Sequence, residues 1–323
     1  MGPLIAITML VLFVAANTTA CDFLKQADKL YQSRARGFDN ELLLADSVLA
    51  DSCITLYLLA VDESEGPVRE EASWKLLRAY FFRGFYATPD SDRKKRLYDD
   101  AIDVGKRAVE EFPESPGINV WMATMWGLWA ESHGSMSAAT RGVAGKIRKH
   151  CETALLSDST FCDAGALRVL AGVYFKAPKI PLILGWPSKK KALEFINRSL
   201  AIAPDNLFSQ RCQAEILYAR KKHEQACEIM FRIASGQETV SGLVEDTQIR
   251  QRASEILTEW IDNDDDLRTF ADENGYYPPA SRTGQPHAAS AAYPPTRPGA
   301  SQTPQLPGQS LVVPSEARPR GIR

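Results

Sequence analysis

The chain has 323 residues, of which 45% are hydrophobic and 24% are charged, and its formal net charge is -2. This apolar content is sufficient for a hydrophobic core, so the composition excludes a globally disordered protein. The near-neutral net charge of the whole chain gives no support for nucleic-acid binding, because such binding needs a strongly basic surface.

Charge and proline are unevenly distributed along the chain. No charged side chain precedes Asp22, whereas the residues from Tyr276 onward hold ten of the 19 prolines, five arginines and one glutamate. That C-terminal tail therefore carries a net charge of +4 and the rest of the chain -6. The pattern indicates three segments, namely an uncharged leader, an acidic body and a basic, proline-rich tail.

The leader has the pattern of an export signal. Residues 4–16 (LIAITMLVLFVAA) are an unbroken apolar run, which fits the core of a signal peptide and is too short for a membrane-spanning helix of about 20 residues. Small residues then lead to Cys21, as in the lipobox of bacterial lipoproteins, where the thiol is acylated. We expect residues 1–20 to be a lipoprotein signal peptide, with an ordinary cleaved signal or an uncleaved anchor as alternatives. This predicts an exported protein that a lipid holds on a membrane.

Residues 21–273 are predicted to form an all-α, tetratricopeptide-like helical-repeat solenoid with long insertions within the repeats. Large residues fill gaps between two antiparallel helices, and small residues allow the helices to meet closely. The first complete unit has this pattern at Trp74, Leu77, Phe81, Ala101, Gly105, Ala108 and Pro113. Further units begin near Ile118 and Leu167 and at residue 210, a degenerate helical pair covers 23–34 and 40–61, and capping helices cover 244–260 and 264–273.

Residues 274–323 lack hydrophobic periodicity and contain repeated prolines. Because proline removes amide donors and disfavours helix, we expect this tail to be disordered or to adopt polyproline II. It is a passive extension, or alternatively a tether or a peptide ligand.

Catalytic and metal-binding motifs are missing from the sequence. None of HExxH, GxSxG, GxGxxG or a CxxC pair occurs, and the four histidines show no ligand spacing. We therefore expect no enzymatic activity, no cofactor and no bound metal. Cys212 and Cys227 fall on the two helices of one hairpin, where they are either bridged or simply small buried residues.

The candidate binding residues are mostly aromatic. The segment 120–130 (VWMATMWGLWA) is apolar nearly all round, so it is either completely enclosed or lines an apolar cavity or contact. Arg168 either makes a structural pair with an acidic neighbour or anchors an organic acid. The candidate residues for a ligand or a partner are Trp121, Met125, Trp126, Trp129, Arg168, Tyr174 and Trp186.

Several stretches, together with the leader, resemble the T-component (TatT) family of TRAP transporters over about residues 27–260. They are residues 30–34 (LYQSR), 71–79 (EASWKLLRA), 121–127 (WMATMWG), 168–174 (RVLAGVY) and 176–181 (KAPKIP). The resemblance implies an accessory component of a TRAP-type uptake system on the periplasmic face of the bacterial cell envelope. It also implies a periplasmic solute-binding protein as partner and a homo-oligomer, whereas the expectation of no nucleic acid rests on the charge balance. The alternative is a general scaffold that organises envelope proteins without binding a small ligand.

Overall fold

In the computed structural model, the described residues are 19–178, 185–236 and 242–276. Their regular structure consists of helices, which confirms the predicted all-α helical repeat. The helices are α1 (residues 19–32), α2 (Ser47–Asp62), α3 (Gly66–Tyr86), α4 (Ser91–Glu111), α5 (Pro116–His133), α6 (Ser135–Thr140), α7 (Val143–Ser157), α8 (Phe161–Lys176), α9 (Lys189–Ile202), α10 (Leu207–Tyr218), α11 (His223–Ser235), α12 (Leu243–Asp262) and α13 (Asp265–Asn274).

The two outermost predicted segments lie outside the described residues. These are the apolar run of the leader and the proline-rich tail beyond Tyr276. Cys21, the predicted acylation site, lies half-buried in α1 immediately after the fully buried Ala20. Within the described ranges, no helix combines the length and the apolar character that crossing a membrane requires.

Helices pack as the repeat pattern predicts, with small residues at the closest approaches. The pairs are α3 with α4, α5 with α7, α8 with α9 and α10 with α11. A Cβ added at Gly105 would collide with Met122 Sδ and lie 3.2 Å from Leu77 Cδ2. The small position of the first unit thus brings α4 against both α3 and α5. Cys151 of α7 and Ile196 of α9 occupy the positions equivalent to Gly105, and both are fully buried.

The inserted residues are accommodated in two ways. In the first unit they lengthen the helices, because α3 and α4 each span 21 residues and only residues 87–90 connect them. In the second unit the insertion forms the short helix α6 between α5 and α7. The insertion of the third unit includes residues 179–184, which lie outside the described part of the chain.

The N-terminal part of the chain contacts α12. This contact joins the beginning of the helical stack to a helix near its end. Arg34 Nε donates to Glu245 Oε1 at 2.6 Å, and Gln248 Nε2 donates to the carbonyl of Leu43 at 2.5 Å. Val244 and Ile249, both fully buried, belong to the same hydrophobic core as α1 to α10. The repeat pattern does not predict this contact, since it joins residues more than 200 positions apart.

The six cysteines are free. Cys212 and Cys227, on α10 and α11, are both buried. They are therefore two small buried side chains and are not bridged to each other. Burial raises the pKa of the Cys212 thiol to about 12 and that of Cys227 to about 11, which keeps both protonated and unreactive at neutral pH.

Candidate functional site

The tryptophan-rich helix α5 is enclosed by other helices. Residues 117–129 are all buried, and α5 packs on α3, α4, α7 and α8. Trp121 and Met125 are at most 1% exposed and face the interior, with the Trp121 ring centroid 5.5 Å from that of Phe81. A helix that is apolar all round is stable only when it is covered on every side. These two residues are thus part of the core.

Arg168 is fully buried and hydrogen-bonded within its own chain. Its guanidinium donates to the carbonyls of Cys162 and Asp163, at 3.1 and 3.0 Å, in the first turn of α8. Cys162, Asp163 and Ala164 all have positive φ there, a left-handed conformation that is costly for residues with a Cβ. Arg168 therefore holds this strained turn, through backbone carbonyls rather than through the predicted acidic side chain.

The other four aromatic candidates each lie under a basic side chain. The cationic group lies 4.1 Å from the ring centroid for Lys146 over Trp126 and 4.6 Å for Arg141 over Trp129. The corresponding distances are 5.3 Å for Arg148 over Trp186 and 6.0 Å for Lys191 over Tyr174. All are within the range of a cation–π interaction. The Tyr174 and Trp186 rings are themselves in contact, with centroids 4.6 Å apart.

We group these four cations with Lys149, Lys189 and Lys190, their neighbours in the sequence, and call the set the basic surface, namely Arg141, Lys146, Arg148, Lys149, Lys189, Lys190 and Lys191. All are exposed except Arg148, which is half-buried. The surface joins the N-terminal part of α7 to that of α9, because Arg148 of α7 reaches Trp186 just before α9. Aromatic rings that are buried, or half-buried in the case of Trp186, thus lie beneath positively charged side chains.

Few of these charges are neutralised by acidic neighbours. Arg148 pairs with Glu152 at 2.7 Å, and Lys189 donates to the backbone carbonyl of Ala219. Among the described residues, the other members of the basic surface make no salt bridge. Partial desolvation, and then the nearby charges of Lys106 and Arg141, lower the pKa of Lys146. The like charges of the basic surface therefore repel one another.

The position of the lysines is unfavourable for the helix that carries them. Lys189, Lys190 and Lys191 are the first three residues of α9, and its first turn holds no acidic residue. The positive end of a helix dipole favours acidic side chains, and cations there cost stability. A run of lysines at this place is not explained by the folding of α9. It suits the binding of an anionic partner.

A second polar feature, which we call the mixed-charge cluster, consists of Lys94, Glu131, Lys176, Arg211 and Glu215. Arg211 Nη1 lies 2.8 Å from Glu215 Oε1 on α10, and both side chains are largely buried. Burial raises the pKa of Glu131 to about 8, against the opposing effect of Lys176. Burial lowers the pKa of Lys176 to about 8.

The aromatic rings beneath the basic surface are among the predicted candidate residues, whereas its cations are not. The signals were present as the runs Lys189-Lys190-Lys191 and 146–149 (KIRK). What could not be predicted was that these runs cover the predicted aromatic rings. Within the described ranges, no group of His, Cys, Asp and Glu side chains could hold a metal ion.

Comparison with known families gives a match to one family model. Residues 23–161 match the family described as "Regulator of microtubule dynamics protein 1-3". The matched segment runs from α1 to the start of α8, less than half of the chain, and includes Arg141, Lys146, Arg148 and Lys149 of the basic surface. No curated protein matches the chain.

This match contradicts the resemblance to the TatT family. Identification as a TRAP transporter component, the accessory role in solute uptake and the lipoprotein assignment are accordingly wrong. The quoted stretches misled because they are packing motifs, which any closely packed pair of helices requires. The predicted solute-binding partner and the predicted location at the cell envelope are not tested by the match and stay predictions.

Proposed function

We propose that this protein binds microtubules through the basic surface and thereby influences their dynamics. The observation that carries the proposal is the match of residues 23–161 to the family of regulators of microtubule dynamics. Four members of the basic surface lie inside the matched segment, and the three lysines of α9 extend the surface beyond it.

The physical basis is electrostatic attraction to an acidic protein surface. Exposed cations without acidic partners attract an anionic surface over a Debye length, about 8 Å at physiological ionic strength. The aromatic rings beneath Lys146 and Arg141 restrict the motion of these side chains, so less conformational entropy is lost on binding. Such a contact would mainly govern the association rate and would weaken with salt.

Co-sedimentation of the purified full-length chain with stabilised microtubules tests the proposal. We expect the chain to pellet with microtubules at about 50 mM salt and to be released progressively toward about 300 mM, because salt screens exposed charges. In a second assay, the chain should change the growth or shortening rates of single microtubules. A chain that stays in the supernatant at all salt concentrations would refute the proposal.

A further inference from the structure

A groove lies on the surface at the C-terminal end of the helical stack, and we call it the C-terminal groove. It has a volume of about 350 Å³ and is lined by Glu228, Phe231, Arg232, Ser235, Gly236 and Tyr276. The first five belong to the second half of α11 and its cap, whereas Tyr276 follows α13. Because α11 and α13 pack on each other, the groove is formed by the tertiary fold and not by one helix.

Two aromatic rings form the apolar wall of the C-terminal groove. The ring centroids of Phe231 and Tyr276 lie 4.9 Å apart, and the Tyr276 ring meets the Phe270 ring edge-on at 5.7 Å. Both Phe231 and Tyr276 are half-buried, so each packs on the C-terminal core and still presents part of its ring to solvent. The N–H of Tyr276 donates to the carbonyl of Ala271 at 2.9 Å, which fixes this residue on α13. The groove thus offers a preformed aromatic surface.

Polar side chains of α11 line the same groove. Glu228 and Arg232 are four positions apart, a spacing at which opposite charges on a helix often pair. Both are exposed, and within the described ranges neither makes a salt bridge or a side-chain hydrogen bond, nor does Ser235. The carboxylate of Glu228 and the guanidinium of Arg232 can therefore each contact a group that enters the groove.

An aromatic groove with a carboxylate in its lining fits a proline-rich peptide that carries an arginine. Proline-rich segments bind in aromatic-lined grooves because little entropy is lost when their extended backbone is fixed. Their carbonyls make no internal hydrogen bonds, so they can accept from a side chain such as Arg232. An arginine of the peptide can in turn pair with the Glu228 carboxylate.

The chain contains such a segment in its own tail. Residues 293–298 (YPPTRP) combine a tyrosine, three prolines with PxxP spacing and Arg297. They are separated only by residues 277–292 from Tyr276, which is itself one wall of the groove. A linker of this length gives a tethered ligand an effective concentration on the order of 1 mM. The entropy cost of closing the loop also grows only slowly with its length.

The charges of the two parts are complementary as well. The chain from Tyr276 onward holds five arginines and one glutamate. In contrast, residues 255–274, which include α13 and precede Tyr276, hold eight acidic residues and one arginine. Attraction between these charges favours a tail that lies on the C-terminal helices over one that extends away from them.

We propose that the C-terminal groove binds residues 293–298 of the tail of the same chain. The rings of Phe231 and Tyr276 contact the prolines, and Glu228 pairs with Arg297. Of the three roles open to the tail, this is the role of a peptide ligand. The groove shares no residue with the basic surface, so the contact does not depend on the binding of microtubules.

The test uses the full-length chain and a fluorescein-labelled peptide of residues 290–301, with fluorescence anisotropy at pH 7 and about 150 mM salt. In the wild type, the tail competes with the peptide for the groove. The tail variant P295A/R297A/P298A removes this competitor. It should therefore bind the peptide about tenfold more tightly than the wild type does, as an effective concentration of about 1 mM and an intrinsic dissociation constant of about 0.1 mM imply.

Further substitutions in the tail variant locate the binding site. F231A should weaken peptide binding about tenfold, because an aromatic contact is lost. E228Q should weaken it about threefold, since exposed ion pairs are weak. E224Q is the matched control: it removes the same charge from an exposed position of α11 outside the groove, and it should leave the affinity unchanged.

Circular dichroism melts establish that each variant is folded, and E228Q keeps the test decisive if F231A is not. Absence of peptide binding by the tail variant would overturn the proposal, as would equal effects of E228Q and E224Q. Equal binding of the peptide by the wild type and the tail variant would overturn it too, because the groove would then belong to a proline-rich segment of another protein.

Discussion

Arg34 and Glu245, which lie 211 positions apart in the sequence, form a buried ion pair with 2.6 Å between Nε and Oε1. Their side chains are 3% and 1% exposed, and Arg34 also lies over the Tyr31 and Phe82 rings. The second carboxylate oxygen, Glu245 Oε2, is enclosed without a partner. The pair connects the end of the first helical segment to α12 and so closes the repeat stack.

Removing one partner of this pair should strongly destabilise the protein. R34M leaves the Glu245 charge buried and unpaired, and we expect the free energy of unfolding to fall by about 3–5 kcal/mol. Urea denaturation followed by circular dichroism measures this change. The double variant R34M/E245L should lose less than R34M alone, because it leaves no buried charge.

An exposed ion pair provides the control for this experiment. Arg268 and Asp265 lie 2.8 Å apart, with side chains 46% and 94% exposed. R268A should cost less than about 1 kcal/mol, as is usual for surface pairs. Equal effects of R34M and R268A would show that the closing contact adds nothing to stability.

A substitution at Gly105 tests the close packing of the repeat. G105A introduces a Cβ that collides with Met122 Sδ, between α4 and α5. Such overpacking should cost about 1–3 kcal/mol. In contrast, a Cβ at Gly145 of α7 meets nothing within 4 Å, so G145A should stabilise the helix by about 0.5–1 kcal/mol. Thermal melts of the two variants should shift in opposite directions, and a shift in the same direction would contradict this packing.

The stability of the chain should depend on pH through Glu131. Burial raises the pKa of this carboxyl from 4.5 to about 8. The folded state then retains a proton that the unfolded state releases between these values, so the contribution of Glu131 falls as pH rises from about 5 to 8. Half-buried His150, whose pKa desolvation lowers to about 4, has the opposite effect below pH 6.5.

The comparison with E131Q isolates this contribution. Both proteins contain His150, so the difference in their free energies of unfolding reports mainly on Glu131. We expect E131Q to gain stability relative to the wild type steadily between pH 5 and 8, measured by urea titrations at each pH. A difference that stays constant over this range would show that Glu131 titrates normally.

Charge reversal in α9 should separate stability from binding. K190E places an acidic side chain in the first turn of α9, where the helix dipole favours it, and Lys190 is exposed and has no salt bridge among the described residues. We expect the variant to be more stable by about 0.3–1 kcal/mol. The same change should weaken microtubule binding. A variant that is less stable and binds equally well would contradict the functional interpretation of the lysine run.

The helices and their packing could be predicted from the sequence because they depend on local spacing. The cap helix α12, for example, was predicted from residues 244–260 and is found at Leu243–Asp262. The contact between Arg34 and Glu245 could not be predicted, since the repeat pattern describes only neighbouring helices. The rings of Trp126 and Trp186 could be named as candidates from the sequence, whereas the cations that lie over them, Lys146 and Arg148, depend on the tertiary fold.

The family resemblance failed for a related reason. Small and large residues at helical spacing, as in residues 121–127 and 168–174, report close helix packing. They carry no chemistry that would distinguish one helical-repeat family from another. Residues such as Lys146 and Arg141 lie on the outside, where packing places no demand on them.

The most direct test of the proposed function compares microtubule dissociation constants for three full-length proteins at about 100 mM salt. These are the wild type, K149E/K190E in the basic surface, and K25E/K29E on exposed positions of α1, which changes the net charge by the same amount. We predict that K149E/K190E binds at least about tenfold more weakly, since two favourable charges become repulsive, while K25E/K29E stays within about threefold. Equal weakening in both variants would contradict a specific basic surface, and the absence of binding by the wild type would contradict the proposed function itself.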